Sequence, residues 1–283
     1  MIDLACSTLL LAIVLVATVA YGARVAVRGR ATSARVEREG DSFFVAKGAM
    51  EMFHWLLEPF GAACERLGVS ANFVTWGSLA LAAGSGVALA LGHFGVGAAL
   101  ATFSAAGDAL DGAIARRTRT ASEAGEVLDA AVDRYGEFAF LAGLAFWFRA
   151  ASAPLVATLL AVLASFMVSY STAKAEALQL EAPRGSMRRT ERAVLLILGA
   201  GLSPLAAQLN PAWLEWPMVA AIGIVAVGGN ISAIRRLAAI ARAARERDAV
   251  RGVVAPEPVT PRVHEEDDAL ENDRVVAHQG RAP

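Results

Sequence analysis

Four aspartates, Asp108, Asp111, Asp129 and Asp133, lie in the apolar stretch 107–136. Residues three, four or seven apart share one face of a helix. Asp108, Asp111, Gly112 and Ala115 keep that spacing, as do Gly125, Asp129 and Asp133, so two adjacent antiparallel helices can aim two carboxylates each at one point. A carboxylate at mid-membrane costs about 2.5–3.5 kcal/mol on insertion scales, and four would be prohibitive without compensation. Neither helix contains a lysine, so the convergent carboxylates imply divalent cations. An all-oxygen ligand set selects Mg²⁺, Mn²⁺ or Ca²⁺, and carboxylates that bridge two such ions assist phosphoryl displacement. Small Gly112, Ala113 and Ala115 leave room for a phosphate-bearing substrate, and Arg116, one turn beyond Gly112, can clamp a phosphate with its planar fork. The competing reading pairs the acids with Arg116, Arg117, Arg119 and Arg134 at the helix ends.

The elements that must position these carboxylates read as membrane helices. Of 283 residues, 56% are hydrophobic and 19% charged, and the mean hydropathy is +0.48, against the slightly negative values of soluble domains. A window of about 20 residues, the length a helix needs to cross a bilayer, predicts seven spans, at 4–22, 73–92, 94–115, 127–148, 152–174, 193–209 and 213–234. Basic clusters follow the first span (Arg24, Arg28, Arg30, Arg35, Arg38), the third (Arg116, Arg117, Arg119) and the seventh (Arg235, Arg236, Arg242, Arg245, Arg247), and precede the sixth (Arg184, Arg188, Arg189, Arg192). Seven spans put all of them on one side, which the positive-inside rule makes the cytoplasm.

The first span carries Asp3 and no basic residue ahead of its apolar run, so it reads as an uncleaved anchor rather than a signal peptide. Phe43, Phe44, Met50, Phe53, Trp55, Leu56 and Phe60, interleaved with polar positions, predict an amphipathic helix at the cytoplasmic interface. The expected organisation is 1–40 anchor and basic linker, 41–249 membrane domain, and 250–283 disordered acidic tail. His264 belongs to the solvated charge run of that tail rather than to a metal site. Cys6 and Cys64 read as small apolar fillers. The net charge of -1 points to no partner, and no nucleic-acid partner is expected.

Asp108-x-x-Asp111-Gly112-x-x-Ala115-Arg116, then eight residues, Gly125, three residues, Asp129, three residues and Asp133, resembles at every position the signature of the CDP-alcohol phosphotransferase family. The resemblance covers about residues 41–245. "SANFVT" at 70–75 is similar to that family's Pro-Asn-x-x-Thr motif, with Ala71 where proline is usual. The implied fold is an all-α integral membrane, six-helix transmembrane bundle with an interfacial amphipathic helix; the first span here is an extra N-terminal transmembrane helix. By the resemblance, Asp108, Asp111 and Asp129 hold one Mg²⁺, and Asp108, Asp129 and Asp133 hold a second, with Mn²⁺ an alternative ion. Asp133 doubles as general base for an acceptor hydroxyl attacking the β-phosphoryl of CDP-diacylglycerol, and CMP leaves. Asn72, Thr75, Gly112, Arg116 and Ser122 contact the CDP-lipid. The family also implies a homodimer in the inner membrane, its active site facing the cytoplasm.

"SYSTAKAEALQLEAPRGSMRRTERAVL" at 169–195 is similar to a loop of actinobacterial phosphatidylinositol-phosphate synthases, with Thr172 in place of a lysine and Lys174 in place of an arginine. That likeness implies Lys174, Arg189, Arg192 and Arg236 as ligands of the acceptor's phosphate, with inositol phosphate as acceptor. Glycerol 3-phosphate is the alternative acceptor. A cation transporter and a catalytically inactive scaffold are the alternatives of another class; the confinement of the acids to one hairpin, without internal repeats, sets the transporter reading behind the enzyme.

Overall fold

The computed structural model describes residues 1–30, 46–181 and 185–252. Eight α-helices run in chain order among them: α1 Ile2–Arg28, α2 Lys47–Arg66, α3 Ala71–Ala90, α4 Phe94–Arg117, α5 Glu123–Trp147, α6 Ser152–Ala177, α7 Arg189–Leu209 and α8 Trp216–Arg251. Met1–Ala241 forms one compact unit, and a second begins at Arg242, its described part being the last turns of α8. The predicted acidic tail falls outside the described residues from 253 onward, as do Phe43, Phe44, Arg35, Arg38, Arg184 and His264.

Among the described residues, five segments are long and apolar enough to cross a membrane: α1, α3, α6, α7 and 211–249, the last containing most of α8. The two predicted spans that fall short are α4 and α5, which carry the four aspartates. Hydropathy therefore supports five of the seven expected spans, although α4 and α5 have bundle-helix lengths of 24 and 25 residues. Helix boundaries extend past the apolar windows wherever polar residues supply a cap. Ser70 Oγ accepts from Phe73 N at 3.3 Å to start α3, and Ser122 Oγ accepts from Gly125 N at 3.1 Å to start α5. Before α7, the Arg188 N–H donates to Glu191 Oε2 at 3.2 Å, half of a capping box.

The apolar core lies toward the end of the bundle away from the aspartates, where Leu89, Phe94, Phe140, Leu144, Phe148, Leu196, Met218 and Ile222 pack together. Two glycines set the α3–α5 spacing. A Cβ on Gly143 would overlap the Gly86 carbonyl, and one on Gly86 would overlap the carbonyl of Ala139, so only glycine permits this backbone approach. Ser85 Oγ donates to Gly97 O at 2.7 Å and ties α3 to α4.

The predicted anchor α1 is packed into the same unit as the bundle. At its start Asp3 Oδ1 accepts from Val96 N at 3.2 Å and Asp3 Oδ2 lies 2.8 Å from His93 Nδ1, placing a carboxylate on the N-terminus of α4 where the helix dipole favours it. At its other end the Tyr21 hydroxyl donates to Glu51 Oε2 of α2 at 3.0 Å, and its ring lies 5.7 Å from that of Trp55. Thus α1 runs parallel to α4 and ties the start of the aspartate helix to α2. Cys6 and Cys64 are partly buried free thiols.

Candidate active site

The short turn between α4 and α5, residues 118–122, returns the chain so that the end of one helix faces the start of the next. The capped Ser122 fixes the first turn of α5, from which Asp129 and Asp133 follow at successive turns. One oxygen each of Asp108, Asp111 and Asp129 lie within 4.8 Å of one another, a spacing one metal ion can span. Asp111 is 5% exposed, and its Oδ2 accepts the Thr75 hydroxyl at 2.6 Å while Oδ1 accepts the Gly112 N–H at 2.5 Å. Those donors fix its orientation. Asp129 Oδ1 is buried without a hydrogen-bond partner, an arrangement that costs free energy unless a cation is supplied. A set of hard, converging oxygens with one orphaned acceptor fits a divalent metal.

Two of the arginines that sequence proximity offered turn to other groups. Arg117 reaches toward Glu65 and Glu58 of α2, at 3.5 and 3.9 Å, and Arg134 donates to the Ala130 carbonyl. An arginine distant in sequence, Arg189 from the start of α7, reaches Asp108 and Asp133: Nη1 donates to Asp108 Oδ2 at 2.9 Å and Nη2 lies 2.5 Å from Asp133 Oδ1. One guanidinium therefore bridges a carboxylate of α4 and a carboxylate of α5.

Two cavities flank the four aspartates. The larger, about 1100 Å³, is lined by Asp111, Asp129, Asn72, Thr75, Gly112, Arg116 and Ser122, which brings together every residue expected to contact the CDP-lipid. A Cβ on Gly112 would lie 3.2 Å from Arg116 Nη1, so the absence of a side chain there keeps the arginine fork close to the helix. Thr75 differs from expectation in its partner, since its hydroxyl is bonded to Asp111. The smaller cavity, about 80 Å³, is lined by the other aspartates, Asp108 and Asp133, with Arg189, Glu137, Ser78 and Ser104.

The residues expected to hold the acceptor's phosphate have different partners in the structure. Arg189 reaches the aspartates. Arg192 corrects the expectation: it is 0% exposed, and its Nε and Nη2 donate to Glu137 Oε1 and Oε2, both at 2.7 Å, while Nη1 donates to Met187 O at 2.8 Å. Its fork holds a carboxylate of the protein and has no surface to offer a substrate. Arg236 is 8% exposed and donates from Nη2 to the carbonyls of Gly185 and Ser186 at 3.0 and 3.2 Å, which pins the segment ahead of α7. Lys174 is exposed near the end of α6 and lines neither cavity. Glu137 is the site residue that sequence reasoning missed, although its place four residues beyond Asp133 continues the spacing of Asp129 and Asp133.

The family model described as CDP-alcohol phosphatidyltransferase matches residues 68–228, more than half the chain. Phosphatidylinositol phosphate synthase of Mycolicibacterium smegmatis is 33% identical over 189 residues, covering 65% of this chain and 83% of its own length. Among solved structures, the Mycobacterium tuberculosis phosphatidylinositol phosphate synthase with CDP-DAG bound is 28% identical, with a TM-score of 0.58 over 64% of this chain and 92% of that one. The same enzyme in complex with manganese and citrate is also 28% identical, with a TM-score of 0.58 over 64% and 87%. The matched segment contains α3, α4 and α5, and with them all four aspartates; this integral membrane protein belongs to the CDP-alcohol phosphatidyltransferase family.

Proposed function

We propose that the chain transfers the phosphatidyl group of CDP-diacylglycerol to a hydroxyl of inositol phosphate, releasing CMP. The observation that carries this reading is the division of the site. The large cavity meets Asp111 and Asp129 beside Gly112 and Arg116, and the small one meets Asp108 and Asp133 beside Arg189. Donor and acceptor thus have separate approaches to one carboxylate cluster. The large cavity suits a nucleoside diphosphate, with Asn72, Arg116 and Ser122 on its wall, and Thr75 holding Asp111 in place. The relatives named above, both phosphatidylinositol phosphate synthases, support the choice of acceptor.

Asp108, Asp111 and Asp129 would hold one divalent ion, and Asp108, Asp129 and Asp133 a second, with Mg²⁺ the ion and Mn²⁺ a substitute. Bound there, the ions neutralise charge on the pyrophosphate and polarise the phosphoryl group under attack. Asp133 takes the proton from the acceptor hydroxyl, which must lie within hydrogen-bond reach. The hydroxyl oxygen forms its bond to the β-phosphorus as the bond from that phosphorus to the CMP oxygen breaks. Arg189 exchanges its carboxylate partners for the acceptor's phosphate, which its planar fork accepts through two parallel hydrogen bonds. The arginine-rich ends of α4, α7 and α8 support a cytoplasmic face for this chemistry, and the inner membrane is the membrane proposed.

The test is CMP release by purified protein in detergent with CDP-diacylglycerol and Mg²⁺, offered inositol 3-phosphate, glycerol 3-phosphate, inositol or serine. Release with inositol phosphate alone, lost in Asp133→Asn, supports the whole reading. Release with glycerol 3-phosphate alone keeps the mechanism and refutes the acceptor.

A further inference from the structure

Asp133 and Glu137 stand one turn apart on α5, and Arg189 and Arg192 stand one turn apart on α7. The structure joins them as two rungs: Asp133 with Arg189 at the aspartate end, and Glu137 with Arg192 one turn deeper. The rungs differ in character. Arg189 has a side chain 42% exposed and two carboxylate partners from different helices, the condition of a group free to exchange partners. Arg192 is fully buried and bidentate on one carboxylate, whose Oε1 also accepts from Ser165 Oγ of α6 at 2.8 Å. A third donor of Arg192 holds the Met187 carbonyl just ahead of α7.

We infer that Glu137 is a positioning residue, acting through Arg192 to hold α7 in the register that presents Arg189 to Asp133 and to the phosphate of the acceptor. The inference rests on the acceptor reading given above and adds a residue that reading does not use. An ion pair this deep among apolar helices is a costly way to join two helices, and hydrophobic residues of similar volume would join them without desolvating charge. What a planar bidentate pair adds is direction: two parallel hydrogen bonds fix both rotation and height of the arginine-bearing turn. Because Arg189 lies on the same face of α7 as Arg192, its reach toward Asp133 is set by that rung. Ser165 and the Met187 carbonyl tie the rung to α6 and to the preceding segment, so that neither partner can turn alone. Glu137 borders the same small cavity as Asp108, Asp133 and Arg189 without touching the large one, so its loss bears on the acceptor side.

The experiment compares steady-state CMP release by wild type, Glu137→Gln and Ser165→Ala, each also combined with Arg189→Lys, varying acceptor and CDP-diacylglycerol separately. Glu137→Gln is expected to raise the acceptor KM about tenfold and to leave the donor KM within about twofold, since a small misplacement of a binding group is costly in this way. Ser165→Ala removes one hydrogen bond and no charge, and is expected to move the acceptor KM about threefold in the same direction. In the Arg189→Lys background both changes shrink below about twofold, because residues acting through one group are not additive. Equal rises in donor and acceptor KM, or effects that multiply with Arg189→Lys, overturn the positioning role. If Glu137→Gln does not fold, the Ser165→Ala pair alone decides by the same criteria. Absence of CMP release from the wild type with every phosphorylated acceptor overturns the transferase reading and the inference with it; release from the wild type without the donor–acceptor split overturns the inference alone.

Discussion

Replacing Thr75 by valine separates two roles for one hydroxyl. The resemblance to known motifs gives Thr75 to the CDP-lipid, whereas the structure bonds its Oγ1 to Asp111 Oδ2 at 2.6 Å in a site where Thr75 is 5% exposed. Valine keeps the β-branched shape and removes the donor. A hydrogen bond to a charged group is worth about 1.5–3 kcal/mol, and at about 1.4 kcal/mol per factor of ten that is roughly 10- to 150-fold in the affinity of whatever the oriented carboxylate binds. Loss of a partner that orients a metal ligand falls in the same range, about 10–100-fold. Asp111 retains the Gly112 N–H on Oδ1, so the carboxylate stays in place but turns more freely, and the lower part of the range is expected. The assay is direct: Mn²⁺ affinity by electron paramagnetic resonance on the purified protein, and CMP release against Mn²⁺ and CDP-diacylglycerol in turn. The reasoning predicts a Mn²⁺ dissociation constant raised by about tenfold or more with a donor KM little changed at saturating metal. A raised donor KM with unchanged Mn²⁺ affinity refutes it and returns Thr75 to the nucleotide.

Gly143→Ala places a methyl against the Gly86 carbonyl; overpacking of this kind costs about 1–3 kcal/mol, and the expected result is a lower melting temperature with reduced CMP release, measured by thermal unfolding in detergent. Tyr21→Phe removes the donor to Glu51, a carboxylate 1% exposed, and is expected to cost about 1–3 kcal/mol, read as a fall in thermal stability without a change in either KM. Gly95→Ala sets a methyl on the Asp3 carbonyl and should displace the start of α1, which cysteine labelling at the partly buried Cys6 reports as faster modification. Chelation with EDTA is expected to abolish CMP release, and added Mn²⁺ or Mg²⁺ to restore it, because Asp129 Oδ1 otherwise lacks a partner.

The helices and the carboxylate spacing were legible in the sequence because both are local. Apolar runs of bilayer length and acids three or four apart on one face follow from the chain's own periodicity. The spacing of Asp108, Asp111, Asp129 and Asp133 told which face of each helix carries the chemistry. It did not tell which arginine answers that charge. Nearest in sequence are Arg116, Arg117, Arg119 and Arg134, yet the bridging group is Arg189, more than fifty residues beyond Asp133. Partner choice across helices depends on their packing, and a list of arginines on the cytoplasmic side satisfies the positive-inside rule whatever each one binds. For the same reason Arg189 and Arg192, three residues apart and alike in the sequence, have different fates. One reaches the aspartates, while the other is buried on Glu137. Chain periodicity determined the elements, their polarity and the carboxylate faces; only the tertiary structure decided which charges meet, because that depends on how α7 packs on α4 and reaches α5.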